Sequence, residues 1–436
     1  MFRKEDTPAL PLKIIKTDRR IARTIIVAAA VFFAVLCWFF AKWNFANTIA
    51  SRLDTSRPET RFLADWLTQT APDDPQTHYG AGVVFEKTFD TEDLNRSLSE
   101  YEQAAALSPN DYLMWLAVGK ARSLNGDTDG ALAAYRRALE LAPNSSTAQW
   151  AMGNALIRKG NVDEGIVLVS KAAMSNKDFS GPAASLAFLL FDGDLAQIRQ
   201  SLGDSDNTNA ALAAILTERG RYDDAVTVWE AIPDRQTNQR QFGTSLATKL
   251  ATAKRFRLAA RVLSDLAANE TEKPVIGVVT NGGFEDGVKL KNAGLFEWQI
   301  ADGTQPQIGL AEGQAHGGKY NLWMMFNTFE TAAFRSVAKT VPVEAGVEYE
   351  FEVFYRSDIK TAATLKWEIA DASSTFPIAS TPAMVPTAEW TSVKTRFSTQ
   401  PGTEAVIIRL TRDGCTGPSC PMNGKLSFDD FSLRRL

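Results

Sequence analysis

A 34-residue recurrence runs from about residue 75 to 273 and limits this chain more than any other feature. In 112–145, Trp115, Val118 and Gly119 are followed by Ala131, Tyr135, Ala138 and Pro143. Moving on by 34 turns Gly119 into Gly153, Ala131 into Gly165, Tyr135 into Val169 and Ala138 into Ala172. Moving back by 34 gives Tyr101, Ala104 and Pro109, with a first helix around Tyr79 to Phe85 set about three residues further upstream. Leu212, Ala213, Leu216, Ala225, Trp229 and Ile232 return as Leu246, Ala247, Leu250, Ala259, Leu263 and Leu266. Residues 180–205 form a shortened hairpin, Ala183–Phe191 and Leu195–Leu202, broken at Asp192-Gly193-Asp194. Each unit is two amphipathic helices. Gly119 and Ala131 are small where the helices cross closely, Trp115 and Tyr135 fill the space beside them, and Pro109 and Pro143 stop the second helix. One such unit cannot bury its apolar face alone, so the units must stack.

These positions resemble the tetratricopeptide repeat, most closely over 112–145. The resemblance implies a concave groove lined by the first helix of each unit, and hence a protein partner. On that face Trp150, Asn154 and Arg158 fall at i, i+4 and i+8, with Lys120 on the preceding unit. An Asn–Arg ladder can hold the backbone or carboxylate of an extended peptide. The set departs from the family's full carboxylate clamp, which needs further basic positions. A solvated face without a ligand, with Trp150 as packing, is the other reading of the same residues.

From Pro274 the period changes. Short alternating runs appear at Val347–Tyr355, Thr364–Ile369, Thr391–Phe397, Ala405–Thr411 and Leu426–Leu433, separated by turns such as Glu344-Ala345-Gly346 and Gln400-Pro401-Gly402. Many short strands over about 160 residues predict an all-β sandwich or jelly roll. Four motifs occur in order: Asn281-Gly282-Gly283-Phe284-Glu285, Gly317 to Leu322, Val341 to Phe351, and Leu426 to Leu433. Together they resemble the galactose-binding-like jelly roll and its carbohydrate-binding modules. The resemblance implies a structural calcium tying Glu285 to Asp429 or Asp430, with hard oxygen ligands. It also implies aromatic platforms for sugar rings. Trp323, Tyr355 and Trp367 are the candidates, while Trp298 and Trp390 are expected in the core. For Trp367, alternation with Leu365 and Ile369 leaves an inward orientation open.

The N-terminal fifty residues give an address. Thr24 to Ala41 carries no charge over eighteen residues, roughly 27 Å as a helix, which suits one membrane span. Lys42 can snorkel, and Trp38 and Trp43 can sit at the interface. Cys37 follows Val35 and Leu36 rather than a small residue, so it is not read as a lipidation site. Arg3, Lys4, Lys13, Lys16, Arg19, Arg20 and Arg23 precede the span, against Lys42 and Arg52 after it. That bias places the N-terminus in the cytoplasm. The expectation is a single-pass inner-membrane protein of a bacterium with its bulk in the periplasm. Cys415 and Cys420 enclose Thr-Gly-Pro-Ser, and an oxidising compartment would let them pair.

Net charge −4 offers no basic face for nucleic acid. Two histidines, His78 and His316, and three cysteines exclude a His/Cys metal cluster. No Walker loop, nucleophile elbow or His-Glu-x-x-His occurs. Asp429 and Asp430 are adjacent on a strand and so expected on opposite faces, which rules out a glycosidase pair. Glu348, Glu350 and Glu352 read as a solvated row. The expected organisation is a tail at 1–23, a transmembrane helix at 24–43, a linker helix at 44–74, an all-α solenoid at 75–273 and a jelly roll at 274–436. The expected function is a non-catalytic scaffold that recruits a protein and touches glycan in surface-polysaccharide assembly or export. The alternative is an envelope assembly factor whose jelly roll is purely structural.

Overall fold

The computed structural model describes residues 20–52, 60–233, 239–268, 270–330, 334–414 and 417–436. Arg3, Lys4, Lys13, Lys16 and Arg19 of the expected cytoplasmic flank, and Cys415 of the expected disulfide, lie outside the described residues. The chain forms two compact units, Met1–Phe179 and Ser180–Leu436.

The first unit begins with α1 (Arg20–Ala50), a 31-residue helix long and apolar enough to cross a membrane or to serve as a signal sequence. At 1.5 Å per residue it is roughly 46 Å long, so it continues past the expected end of the span at residue 43. Only its far end packs: Ala46 and Ala50 are buried with Leu67 of α2 (Thr60–Thr70) and with Ala71. The expected linker helix is therefore split between the end of α1 and α2.

Three helical hairpins follow: α3 (Pro75–Glu86) with α4 (Thr91–Leu107), α5 (Tyr112–Leu124) with α6 (Thr128–Leu141), and α7 (Ser146–Lys159) with α8 (Val162–Ser175). Asp74, Asp90, Asp111, Asp127 and Ser145 cap the first five of these helices after α2 and accept backbone N–H groups of their first turns. The recurring glycines sit at the helix crossings. A Cβ on Gly82 would lie 2.6 Å from the Tyr101 ring, one on Gly119 2.5 Å from the Tyr135 ring, and one on Gly153 2.9 Å from Val169. The tight pairing of a small with a large residue is what repeats every 34 residues.

The second unit contains α9 (Ser180–Leu190), α10 (Leu195–Leu202), α11 (Asp206–Glu218), α12 (Tyr222–Glu230), α13 (Arg240–Thr252) and α14 (Phe256–Leu266), then the β-sandwich. The last of these helices ends at Leu266 and the first strand begins at Trp298, and packing is continuous between them. Phe296 and Ala405 share a buried cluster with Leu258, Val262 and Leu266. Glu404 accepts from Arg255 Nε and from the Arg257 backbone N–H, both at 3.1 Å.

The sandwich has two antiparallel sheets. One orders β1 (Trp298–Ile300), β4 (Val337–Pro342), β10 (Ala405–Asp413), β7 (Thr364–Asp371) and β8 (Pro377–Ser380). The other orders β2 (Gln307–Glu312), β3 (Tyr320–Glu330), β11 (Ser419–Arg435), β5 (Glu348–Ser357) and β9 (Thr387–Ser398), with β6 (Lys360–Thr361) pairing β11. Each run expected as a strand lies within or overlaps one of these. Trp367, fully buried, sits at the centre, with ring centroids of Phe431, Phe428 and Trp298 at 4.8, 5.1 and 6.4 Å. Aromatic edges meeting faces fill the gap between the sheets.

Candidate functional site

On the solenoid, the four expected groove residues have partners of their own. Trp150, half-buried on α7, stacks on Phe179 at 5.1 Å with ring planes 22° apart. Asn154 Nδ2 donates to Trp150 O at 2.9 Å, one turn back on the same helix. Arg158 Nη2 donates to Ser123 Oγ at 3.0 Å, which ties α7 to α5. Lys120 Nζ pairs with Glu86. Each of the four thus has a partner within the repeats, and Glu86 offsets one of the two cations.

On the sandwich, the outward residues of the β2-β3-β11-β5-β9 sheet form the more developed surface. Strand alternation puts Leu322, Met324 and Phe326 of β3 in the core and leaves Trp323 and Met325 outside. Register then builds a row across the sheet: Gly309 pairs Trp323, Trp323 pairs Ser427, and Ser427 pairs Arg356. The Trp323 ring lies close over Gly309, where a Cβ would sit 3.0 Å from it. Trp390 of β9 ends the row. The Arg356 guanidinium lies 5.1 Å from its ring centroid. Gln314 fixes both residues: its Oε1 accepts from Arg356 Nη2 at 3.0 Å and its backbone carbonyl accepts from Trp390 Nε1 at 3.2 Å. Ser427 is 1% exposed, and its hydroxyl has no hydrogen-bond partner. It lines a cleft of about 690 Å³ together with Arg356, Asp358, Lys360, Thr387 and Lys425.

Beside this row the β2–β3 loop folds over the same face. His316 stacks on Phe354 at 3.7 Å. The His316 and Gly317 backbone N–H groups donate to Asp429 Oδ2 at 2.7 and 3.2 Å, and His316 Nδ1 meets Asp430 Oδ2 at 2.6 Å.

Several expectations are corrected here. Tyr355 and Trp367, at 2% and 0% exposure, are core side chains and cannot stack a sugar. Trp298 is in the core as expected, but Trp390 is half-buried at the surface. Of the three glycan candidates, Trp323 alone lies on an accessible face, and Trp390, Arg356 and Ser427 join it. Asp429 and Asp430 do not point to opposite faces. A bulge in β11, with Asp430 at φ 47°, turns both carboxylates toward the 316–317 loop.

The expected metal ligands serve backbone donors instead. Glu285 Oε1 accepts from the Lys319 and Tyr320 backbone N–H groups at 2.8 and 3.0 Å. The Tyr320 bond, then the Lys319 bond, holds its carboxyl below the usual range. Burial pushes the Asp429 carboxyl up, opposed by its three N–H donors. Among the described residues, no three His, Cys, Asp or Glu side chains are grouped to hold a metal ion. Cys420 is buried, and Cys415 lies outside the described residues.

Two tetratricopeptide repeat family models match the sequence, at residues 88–146 and 124–187. No curated protein matches the chain. Similar solved structures include YrrB, described as a TPR protein with an unusual peptide-binding site: 18% identity, 38% of this chain and 88% of that one, TM-score 0.29. TmCBM61 in complex with beta-1,4-galactotriose is 17% identical over 36% of this chain and 96% of that one, TM-score 0.27. The CBM22-1 xylan-binding domain from Paenibacillus barcinonensis Xyn10C is 15% identical over 37% and 96%, TM-score 0.25. Residues 88–187 thus match tetratricopeptide repeat models, an apolar helix precedes them and an antiparallel β-sandwich follows them.

Proposed function

We propose that this protein is a non-catalytic, membrane-anchored scaffold that recruits a protein through its repeats and holds a glycan on its sandwich. In this reading α1 spans the inner membrane once, the bulk lies in the periplasm, Cys415 pairs with Cys420, and the process is surface-polysaccharide assembly or export. Trp150, Asn154 and Arg158 would face the protein partner, with Lys120 released from Glu86. The observation that carries the glycan part is the pairing of two half-buried tryptophans, Trp323 and Trp390, on either side of Ser427 and its unpartnered hydroxyl. They stand three strands apart, roughly 14 Å at about 4.8 Å per strand. Sugar rings need apolar faces to stack on and polar groups between them. The test is calorimetric titration of the full chain in detergent with a panel of neutral and acidic oligosaccharides. Saturable binding that is lost in both W323A and W390A supports the reading. Absence of binding across the panel, with the fold intact, overturns the glycan part.

One observation favours the alternative. Glu404 holds Arg255 and the Arg257 backbone, and Phe296 packs among the last helices. A sandwich seated this way caps a solenoid that would otherwise end on an open apolar face. Under that reading E404A separates the melting of helices and sandwich, and no sugar binds.

A further inference from the structure

The outer face of the β2-β3-β11-β5-β9 sheet treats its charges differently at its two ends. Near the start of β5, Glu350 takes Arg396 at 2.9 Å and also Arg434, and Glu352 takes Lys394 at 2.8 Å. Both of these carboxylates have a cation across the strand. At the cleft the balance reverses. Arg356, Lys360 and Lys425 line it, and among the described residues none of the three is in an ion pair. Asp358 is the one carboxylate in the lining, and its Oδ1 accepts the Lys425 backbone N–H at 2.5 Å. A net-negative protein thus gathers three cations around one cleft against a single carboxylate.

The arrangement of Arg356 adds direction. Its guanidinium is stacked near Trp390 and tethered at one nitrogen by Gln314, so the planar fork is held in place before any ligand arrives. Such a fork matches a carboxylate with two parallel hydrogen bonds. Ser427 Oγ lies on the neighbouring strand in register with Arg356 and supplies a buried donor or acceptor.

We propose that this cleft takes an acidic sugar chain, one whose rings carry carboxylates. Arg356 receives the carboxylate, Lys425 and Lys360 supply the surrounding positive field, and the Trp323 and Trp390 rings stack the sugar faces. The inference rests on the glycan reading above and narrows it to a chemical class.

The test titrates the full chain in detergent with trigalacturonate, with neutral galactotriose and with a sulfated galactotriose. Trigalacturonate is expected to bind at least about tenfold tighter than the neutral sugar, a difference of about 1.4 kcal/mol. The advantage is expected to shrink at high salt, because exposed charges are screened. R356Q and K425Q are expected to bring the acidic-to-neutral ratio toward one. K360Q, at an exposed position, is expected to lower the ratio in part and guards against misfolding. Equal affinity for acidic and neutral sugars overturns this inference and leaves the glycan reading standing. Binding of the sulfated sugar but not the uronate overturns the assignment of a carboxylate. Trigalacturonate binding that survives in W323A and W390A shows charge capture without a sugar platform and overturns the site. Binding of none of the three overturns both readings.

Discussion

The helical hairpins of α3–α8 and the β-sandwich solve the same packing problem by different routes. In the hairpins a small residue meets a large one about sixteen positions later, as Gly119 meets Tyr135 and Gly153 meets Val169. The contact is local, so it can be copied every 34 residues. In the sandwich, Trp367 is surrounded by Trp298, Phe428 and Phe431, which lie some sixty to seventy residues away on either side. That core exists only when distant strands have come together. Damage to a hairpin should therefore stay near its site, whereas damage to the aromatic centre should reach the whole sandwich.

The comparison can be broken most forcefully at Trp367. Truncation by W367A in a well-packed core is expected to cost about 3–5 kcal/mol. Circular dichroism should show the β signal lost in one transition while the helical repeats persist. A local effect confined to β7 would show that the sandwich is less unified than its packing implies.

Lys339 offers the next largest effect. Its Nζ is buried, donates to Phe296 O at 2.9 Å and lies 5.3 Å from the Trp298 ring. Burial pulls its pKa down to about 8 from 10.5. The native state then releases this proton at a lower pH than the unfolded chain. Stability is reduced in full below about pH 8 and is recovered as pH rises toward 10.5. The span corresponds to about 3 kcal/mol. In chemical denaturation at pH 7 and pH 10, K339M is expected to lose this upward slope. An unchanged slope would mean that Lys339 is not its source.

The smallest effect belongs to the repeats. G119A places a methyl 2.5 Å from the Tyr135 ring and is expected to cost about 1–3 kcal/mol through overpacking. Hydrogen exchange should quicken in α5 and α6 and leave the sandwich untouched. Loosening of the sandwich in this variant would erase the distinction between the two regions.

The same contrast explains what was legible in the sequence. The repeats could be read because their contacts are short-range and periodic. Strands such as β5 and β7 could be read because apolar and polar residues alternate along them. β3 could not: Leu322, Trp323, Met324, Met325 and Phe326 form an unbroken apolar run. The alternation is hidden because its outward positions, Trp323 and Met325, belong to the candidate binding face. Met325 is 39% exposed and Phe329 70%. Arg356 and Trp390 were not legible as partners because only the β11-β5-β9 register and the 313–319 loop bring them together. The carboxylates at 429 and 430 were misread because a bulge cannot be seen in a regular alternation.

The position of β11 also governs the order in which the domain can be made. It is the last of the eleven strands among the described residues, yet it lies between β3 and β5. Before it emerges, β2-β3 and β5-β9 are two separate ladders, each presenting an unpaired edge. A chain synthesised or threaded across a membrane from its N-terminal end would hold both edges open until residues 419–435 arrive. Unpaired edges of this kind recruit other strands. The interval before β11 arrives is therefore when the protein is most exposed to mispairing, and when a chaperone that covers strand edges would be of most use.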